Sequence, residues 1–327
     1  MGPFLDAERQ VEHRARNLTH SLLMIGGIGL LMLVSAWLIA AWWGMLLAAL
    51  SVALMVLLAP RVSPETVMRL YRAKPVDDRH GRQLLRLVSI LAERAELPHP
   101  PKLYVVPSST LNAFASGSRE RAAIAVSEGL LRRLSLRQLA GVLAHEMSHI
   151  RNDDLLVMGL ADAMTRFTQM LAYLALGFAA LNIPAWLLGL DTFSWVAIAL
   201  LYLAPAGSSL LQLALSRTRE FDADLEGAGL TGDPAGLAAA LGSLECSQGR
   251  IWEDLMLPPT RRVPFPSLLR SHPETAERIA RLGALANNPG RQADARPIVF
   301  VDEPMFFLVG LGPAEMAPRH RWPGLWY

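Results

Sequence analysis

From Ser21 to Ala59 the chain carries no charged side chain. A helix crosses the hydrocarbon core of a bilayer with about 20 residues, so this stretch is too long for one crossing and suits two. The segment Ala40-Ala41-Trp42-Trp43-Gly44 is the expected reversal, because glycine permits a tight turn and paired tryptophans suit the headgroup region. A cleaved signal peptide is the competing reading, but its apolar region would be only about 7–15 residues and would end on small residues. A second uncharged run covers Phe167 to Leu190 and a third covers Thr192 to Ser216, with Asp191 between them. These read as a second transmembrane hairpin, Pro184 and Pro205 marking bends or ends. A buried helical pair in a soluble core is the alternative.

Composition points the same way. Apolar residues make up 52% of the chain and charged residues 18%, against about a quarter charged in an ordinary soluble domain. The net charge of +2 and the scattered basic residues give no footing for a nucleic-acid partner. Cys246 is the single cysteine, so there is no internal disulfide framework, and a reducing compartment fits. Arg9, Arg14 and Arg16 precede the first apolar run, and Arg61, Arg69, Arg72, Lys74, Arg79 and Arg82 follow it. The expected outer turns hold no Lys or Arg, so the positive-inside rule puts both termini and the polar segments in the cytosol.

The polar portion reads as α+β. A helix is expected over Asp78 to Glu96, ended by Pro98, Pro100 and Pro101. Strands are expected at Lys102 to Val106, around Asn112 to Ala115, and at Ala122 to Val126, with Ser116-Gly117-Ser118 as a turn. They would form a small sheet with an antiparallel edge. Ser135 suits an N-cap for one long helix, Leu136 to Asp153. Further helices are expected over Arg217 to Leu230, Pro234 to Leu244 and Pro273 to Leu285, with a loop from Gly249 to Pro266.

Within the long helix, His145-Glu146-Met147-Ser148-His149 fits the pattern H-E-x-x-H. Side chains four apart on a helix lie on one face, about one 5.4 Å turn apart, so both imidazoles can reach one zinc ion. Glu146 then stands where it can take a proton from water without ligating the metal. The small neighbours Gly141 and Ala144 leave room for close approach. A catalytic zinc takes three protein ligands and leaves one position open, and the motif supplies two. Glu220 is the best candidate for the third, with Asp224 one turn on along the same face. Read alone, that acidic segment is better taken as a solvated, charged helix start.

These motifs resemble the HtpX-like membrane zinc metalloproteases, relatives of the prenyl-protein endopeptidases. The likeness rests on His145-Glu146-Met147-Ser148-His149 and Glu220-Phe221-Asp222-Ala223-Asp224, separated by two apolar runs. It extends to Leu111-Asn112-Ala113-Phe114-Ala115-Ser116-Gly117 upstream and to Ser271-His272-Pro273 with Glu277-Arg278-Ile279 downstream. It covers about residues 20 to 285 in the right order. The resemblance implies one Zn2+ per chain held by His145, His149 and Glu220, with Glu146 as the catalytic acid–base and Asp224 in support. It further implies that the Asn112 strand receives substrate as an added strand, and that His272 and Arg278 stand near the reaction. A purely capping role for His272 is the alternative.

The expected architecture is therefore a mainly α membrane protein with two transmembrane hairpins and a cytosolic, zincin-like α+β protease domain. The protease domain would be assembled from two segments, 60–158 with the zinc helix and 217–286. Around them lie a cytosolic segment (1–20), the first hairpin (21–59), the second hairpin (159–216) and a tail with no assigned role (287–327). The expected activity is cleavage of misfolded or damaged membrane proteins at the cytosolic face of a bacterial inner membrane, as quality control under stress. Its partners would be polypeptide substrates and the lipid bilayer. A prenyl-protein endopeptidase, or a non-catalytic chaperone-like protein with structural zinc, are the rival readings.

Overall fold

The computed structural model describes residues 7–58, 63–77, 81–190, 193–256, 275–287 and 298. Two compact units emerge, one formed by residues 10–61 and 156–218 and the other by the remaining segments.

The first unit is helical. Helix α1 (Ala7–Leu58) consists of two helical segments that meet at Ala40 (φ −135°, ψ 26°) and Ala41 (φ 47°, ψ −132°). The break falls at the reversal expected from the sequence. A Cβ on Gly44 would come within 2.0 Å of the Ala36 carbonyl oxygen, so only glycine allows the chain to close so tightly there. The two later apolar runs lie on α6 (Asp154–Leu187) and α7 (Trp195–Thr231). Both helices are longer than those runs, and both prolines, Pro184 and Pro205, sit inside them rather than at their ends. Asn182 joins the two helices by bonding both main-chain groups of Phe193: its Nδ2 donates to the carbonyl at 2.7 Å and its Oδ1 accepts the N–H at 2.9 Å. Satisfying main-chain groups internally is what an apolar environment demands. Ile28, Met32, Ala36 and Ala48 of α1 pack with Ala161, Met164, Leu171 and Ala175 of α6 and Ile198, Leu201 and Leu215 of α7. Leu22, Leu30, Trp42, Trp43, Trp186 and Tyr202 lie exposed around this core. The stretches Thr19–Leu54, Asp154–Leu187 and Trp195–Thr231 are three helices long and apolar enough to cross a membrane.

The second unit is built on a four-stranded sheet. In chain order it comprises α2 (Pro64–Leu70), β1 (Lys74–Pro75), α3 (Arg82–Arg94), β2 (Lys102–Val106), β3 (Ala113–Gly117), β4 (Ala122–Ser127), α4 (Glu128–Arg133) and α5 (Leu136–Arg151). The later portion of α7, α8 (Pro234–Met256) and α9 (Thr275–Ala286) complete it. The strand order is β1-β2-β4-β3, with β2 and β4 parallel and both outer pairs antiparallel.

The period-two alternation of the strands sorts their side chains. Leu103, Val105, Ile124 and Val126 face Leu87, Leu91, Leu139, Leu143 and Met147 of α3 and α5. Tyr104, Ala123 and Ala125 face Met68 of α2 on the other side.

Several details differ from the sequence reading. Helix α3 starts at Arg82 rather than Asp78, and residues 78–80 lie outside the described set. The short strand β1 and the helix α4 carry no strong periodic signal and were not expected. The turn between β3 and β4 is Ser118 to Arg121, closed by reciprocal main-chain hydrogen bonds of 3.1 Å, one residue or two later than expected. Helix α5 ends at Arg151, two residues before the expected Asp153, which adopts φ 53° before α6 begins at Asp154. Helix α8 continues to Met256, through the first residues of the expected Gly249–Pro266 loop. His272 and the 288–297 and 299–327 stretches lie outside the described residues.

Candidate active site

Helix α5 starts with the expected cap. Ser135 Oγ accepts a hydrogen bond from the Gln138 N–H, and Gln138 Oε1 accepts one from the Ser135 N–H, a capping box. From this fixed start Leu139, Leu143, Met147 and Ile150 enter the core, which turns His145 and His149 toward α7. Helix α7 comes close because Gly227 lies against the zinc-motif backbone: a Cβ there would sit 3.0 Å from the His145 nitrogen. Glu220, Asp224 and Gly227 are spaced four and three apart, so one face of α7 carries the close contact and both acids. Glu226 adds a polar tie, accepting from Ser148 Oγ at 2.9 Å and Asn152 Nδ2 at 2.8 Å.

His145, His149 and Glu220 converge. The two Nε2 atoms are 3.2 Å apart. Glu220 Oε2 is 3.5 Å from His145 Nε2, and Glu220 Oε1 is 3.9 Å from His149 Nε2. One ligand atom from each can be chosen so that all lie within 4.8 Å of one another.

Carboxylates back each imidazole. His145 Nδ1 lies 3.1 Å from Asp224 Oδ1, and His149 Nδ1 lies 2.9 Å from Asp154 Oδ2. Two arginines complete the arrangement. Arg278 of α9 donates to both Asp224 oxygens at 2.6 and 2.7 Å and lies 3.0 Å from Glu220 Oε2. Arg219 donates to Asp154 Oδ1 at 2.6 Å. Arg281 stacks over the Phe221 ring at 3.7 Å, holding α9 against α7.

The electrostatics follow from this crowding. Burial pushes the His145 pKa down, but Asp224 and Glu220 outweigh it and raise the value to about 10. Burial holds Glu146 above its ordinary carboxylate value, offset only in part by the two histidines.

Glu146 also lies against the main chain of Ala115, on β3, which favours its ionised form. Strand β3 is the edge of the sheet. The Ser127 N–H donates to the Asn112 carbonyl at 2.9 Å, and the Asn112 N–H donates to Ser127 Oγ at 3.0 Å, so the Asn112 main chain is turned inward. By the alternation of an antiparallel pair, Ala113 and Ala115 then direct their N–H and C=O groups outward. The open edge facing Glu146 is therefore that of Ala113 and Ala115, and Asn112 stands exposed just before it.

Asp154 and Glu226 were not expected at the site from the sequence. A signal for Asp154 exists in its spacing, one residue more than a helical turn after His149 across a helix break, which no fixed periodicity anticipates. His20 and His99 are exposed, in keeping with surface roles.

Residues 78–286 match the pattern of Peptidase family M48. The chain belongs to that family. Relatives carrying the name "Protease HtpX homolog" agree along most of their length. The Kineococcus radiotolerans protein is 37% identical over 295 residues, covering 84% of this chain and 98% of the relative. The Burkholderia ambifaria protein is 34% identical over 285 residues, covering 83% and 97%. The Desulfatibacillum aliphaticivorans protein is 38% identical over 235 residues, covering 67% and 74%. The crystal structure of S. mikatae Ste24p aligns with a TM-score of 0.48 at 21% identity, over 86% of this chain and 68% of that one. As an M48 peptidase the chain is a metalloprotease, and its apolar helices make it an integral membrane protein.

Proposed function

We propose that this M48 peptidase is a zinc-dependent endopeptidase of a bacterial cytoplasmic membrane, cutting misfolded or damaged membrane proteins at the cytosolic face. The observation that carries the reading is the convergence of His145, His149 and Glu220 beside Glu146 and the open edge of β3. The donor set fits zinc. A tetrahedron with metal–ligand bonds of about 2.0–2.1 Å has edges of about 3.3 Å; the His145–His149 and His145–Glu220 separations are 3.2 and 3.5 Å, and His149–Glu220 is longer at 3.9 Å. Two imidazoles and one carboxylate leave a position open, as catalytic zinc requires.

When bound, the ion would polarise the scissile carbonyl and acidify a water. The rest falls to the chain. Ala113 and Ala115 would bind the substrate backbone as an added strand. Glu146, whose burial strengthens its hold on a proton, would take one from the attacking water and return it to the leaving amine. Asp224, clamped by Arg278, would keep the His145 ring turned toward Glu220.

For the membrane unit we read the two segments of α1 as two crossings, and α6 and α7 as two more. The break at Ala40–Ala41 and the Asn182–Phe193 closure support hairpins at those points. The basic residues flanking α1 favour termini and protease in the cytosol.

The test is turnover of an unfolded polypeptide by purified protein supplied with zinc. Glu146→Gln is expected to keep its zinc and to lose activity by about 10²–10⁴-fold. A Gln variant with full activity would overturn the assignment.

A further inference from the structure

We infer that Asp154 is a positioning residue for His149, and that Arg219 holds it in place. The inference rests on the zinc reading above and concerns residues that reading does not use.

The geometry is local and specific. Helix α5 ends at Arg151, and Asp153, with φ 53°, turns the chain back over the last helical turn. The next residue, Asp154, is thereby delivered to the side of His149 that faces away from the Glu220 cluster. Its Oδ2 accepts from His149 Nδ1 at 2.9 Å, which assigns the proton to Nδ1 and leaves the Nε2 lone pair aimed at His145 and Glu220. An imidazole without this partner would be free to flip or to carry its proton on the nitrogen the metal needs.

Asp154 is itself 2% exposed, so its carboxylate must be fully paired to remain charged there. Arg219 provides that pairing, donating to Oδ1 at 2.6 Å from a position only 9% exposed. Arg219 directly precedes Glu220. The ion pair consequently connects the segment carrying one candidate ligand, His149, to the helix carrying another, Glu220. The two ends of the cluster are supported in parallel ways: Asp224 with Arg278 behind His145, and Asp154 with Arg219 behind His149. Partners of this kind set ring orientation and ligand basicity, and their loss typically weakens metal affinity by about 10–100-fold.

The experiment measures zinc affinity by chelator competition, in a Glu146→Gln background that cannot digest itself. Asp154→Asn, close in shape but uncharged, and Asp154→Ala are compared with the parent. Cobalt substitution provides a spectrum that reports ligand geometry independently of activity. Both variants are expected to bind zinc about 10–100-fold more weakly and to shift the cobalt absorption bands. The metal-free Asn variant is expected to unfold earlier than the parent, because buried Arg219 loses the Asp154 carboxylate, and the metal-bound form is expected to lose more than the metal-free one. If Asp154→Ala does not fold, Asp154→Asn decides alone. Unaltered zinc affinity and cobalt bands in Asp154→Asn would overturn the inference, as would equal destabilisation of metal-free and metal-bound forms. A Glu146→Gln parent that binds no zinc would instead count against the ligand set itself.

Discussion

Arg278 Nε lies 2.6 Å from Asp224 Oδ2, while another nitrogen of the same guanidinium lies 3.0 Å from Glu220 Oε2. One cation from α9 thus joins two acids spaced a helical turn apart on α7. The arrangement is closed to solvent, since Arg278 is 7% exposed and Asp224 is 4% exposed.

Breaking a buried pair from one side leaves an uncompensated charge, at a cost of about 3–5 kcal/mol. Arg278→Met is therefore expected to lower the unfolding temperature of the metal-free protein. Zinc would take over some of the lost neutralisation, so the deficit should shrink in the metal-loaded protein. Thermal unfolding with and without chelator checks both statements, and equal deficits in the two forms would refute the second.

Removing the metal should leave a proton in its place. With its pKa raised to about 10, His145 is protonated in the metal-free site at neutral pH and must give up that proton to become a ligand. Zinc titration at pH 8 in buffers of different ionisation enthalpy should register about one proton released from this residue. For the metal-free fold the sign follows from a raised value. The contribution is complete below the ordinary 6.5 and is lost as pH rises through about 10.

The edge of β3 can be disabled without touching the metal. Ala113→Pro removes an outward N–H, and proline is tolerated on an edge strand. Cleavage of an unfolded polypeptide is expected to fall at least about tenfold, with zinc content unchanged. Normal cleavage by this variant would argue against strand addition on β3.

Asp233 caps α8, accepting from the Gly236 N–H at 3.0 Å, and pairs with Arg137 of α5. Arg137 holds the Asp233 carboxyl below its ordinary value. A depressed value stabilises the fold above the unfolded pKa of about 3.9 and loses that contribution as pH falls through the folded one. Arg137→Ala should thus cost up to about 1 kcal/mol at pH 7, the pair being partly exposed, and progressively less below pH 4. Unfolding of metal-free protein at both pH values measures the difference.

Much of this site was legible because helices state their geometry in their spacing. His145 and His149 recur at four residues, as do Glu220 and Asp224, and Ser135 announces the start of the helix that carries the first pair. Contacts across a break in helical geometry were not legible. Asp154 reaches His149 only because Asp153 adopts a left-handed conformation, which its residue type permits but does not demand. The pairing of β2 with β4, which leaves β3 at the edge, is likewise a long-range choice that no local pattern encodes. Asn112 illustrates the limit: its main chain turns inward onto β4, and it is the neighbouring alanines that direct their main-chain groups to the open edge.

His145 and His149 are separated in the chain from Glu220 by all of α6 and most of α7, the helix on which Glu220 itself lies. A nascent chain that has just emerged through α5 therefore has His145, Glu146 and His149 but not Glu220. The triad comes into being only after α6 and most of α7 have been synthesised, and Arg278 arrives later still. Ribosomal order alone therefore delays the meeting of His145, His149 and Glu220 until α6 and most of α7 have been made.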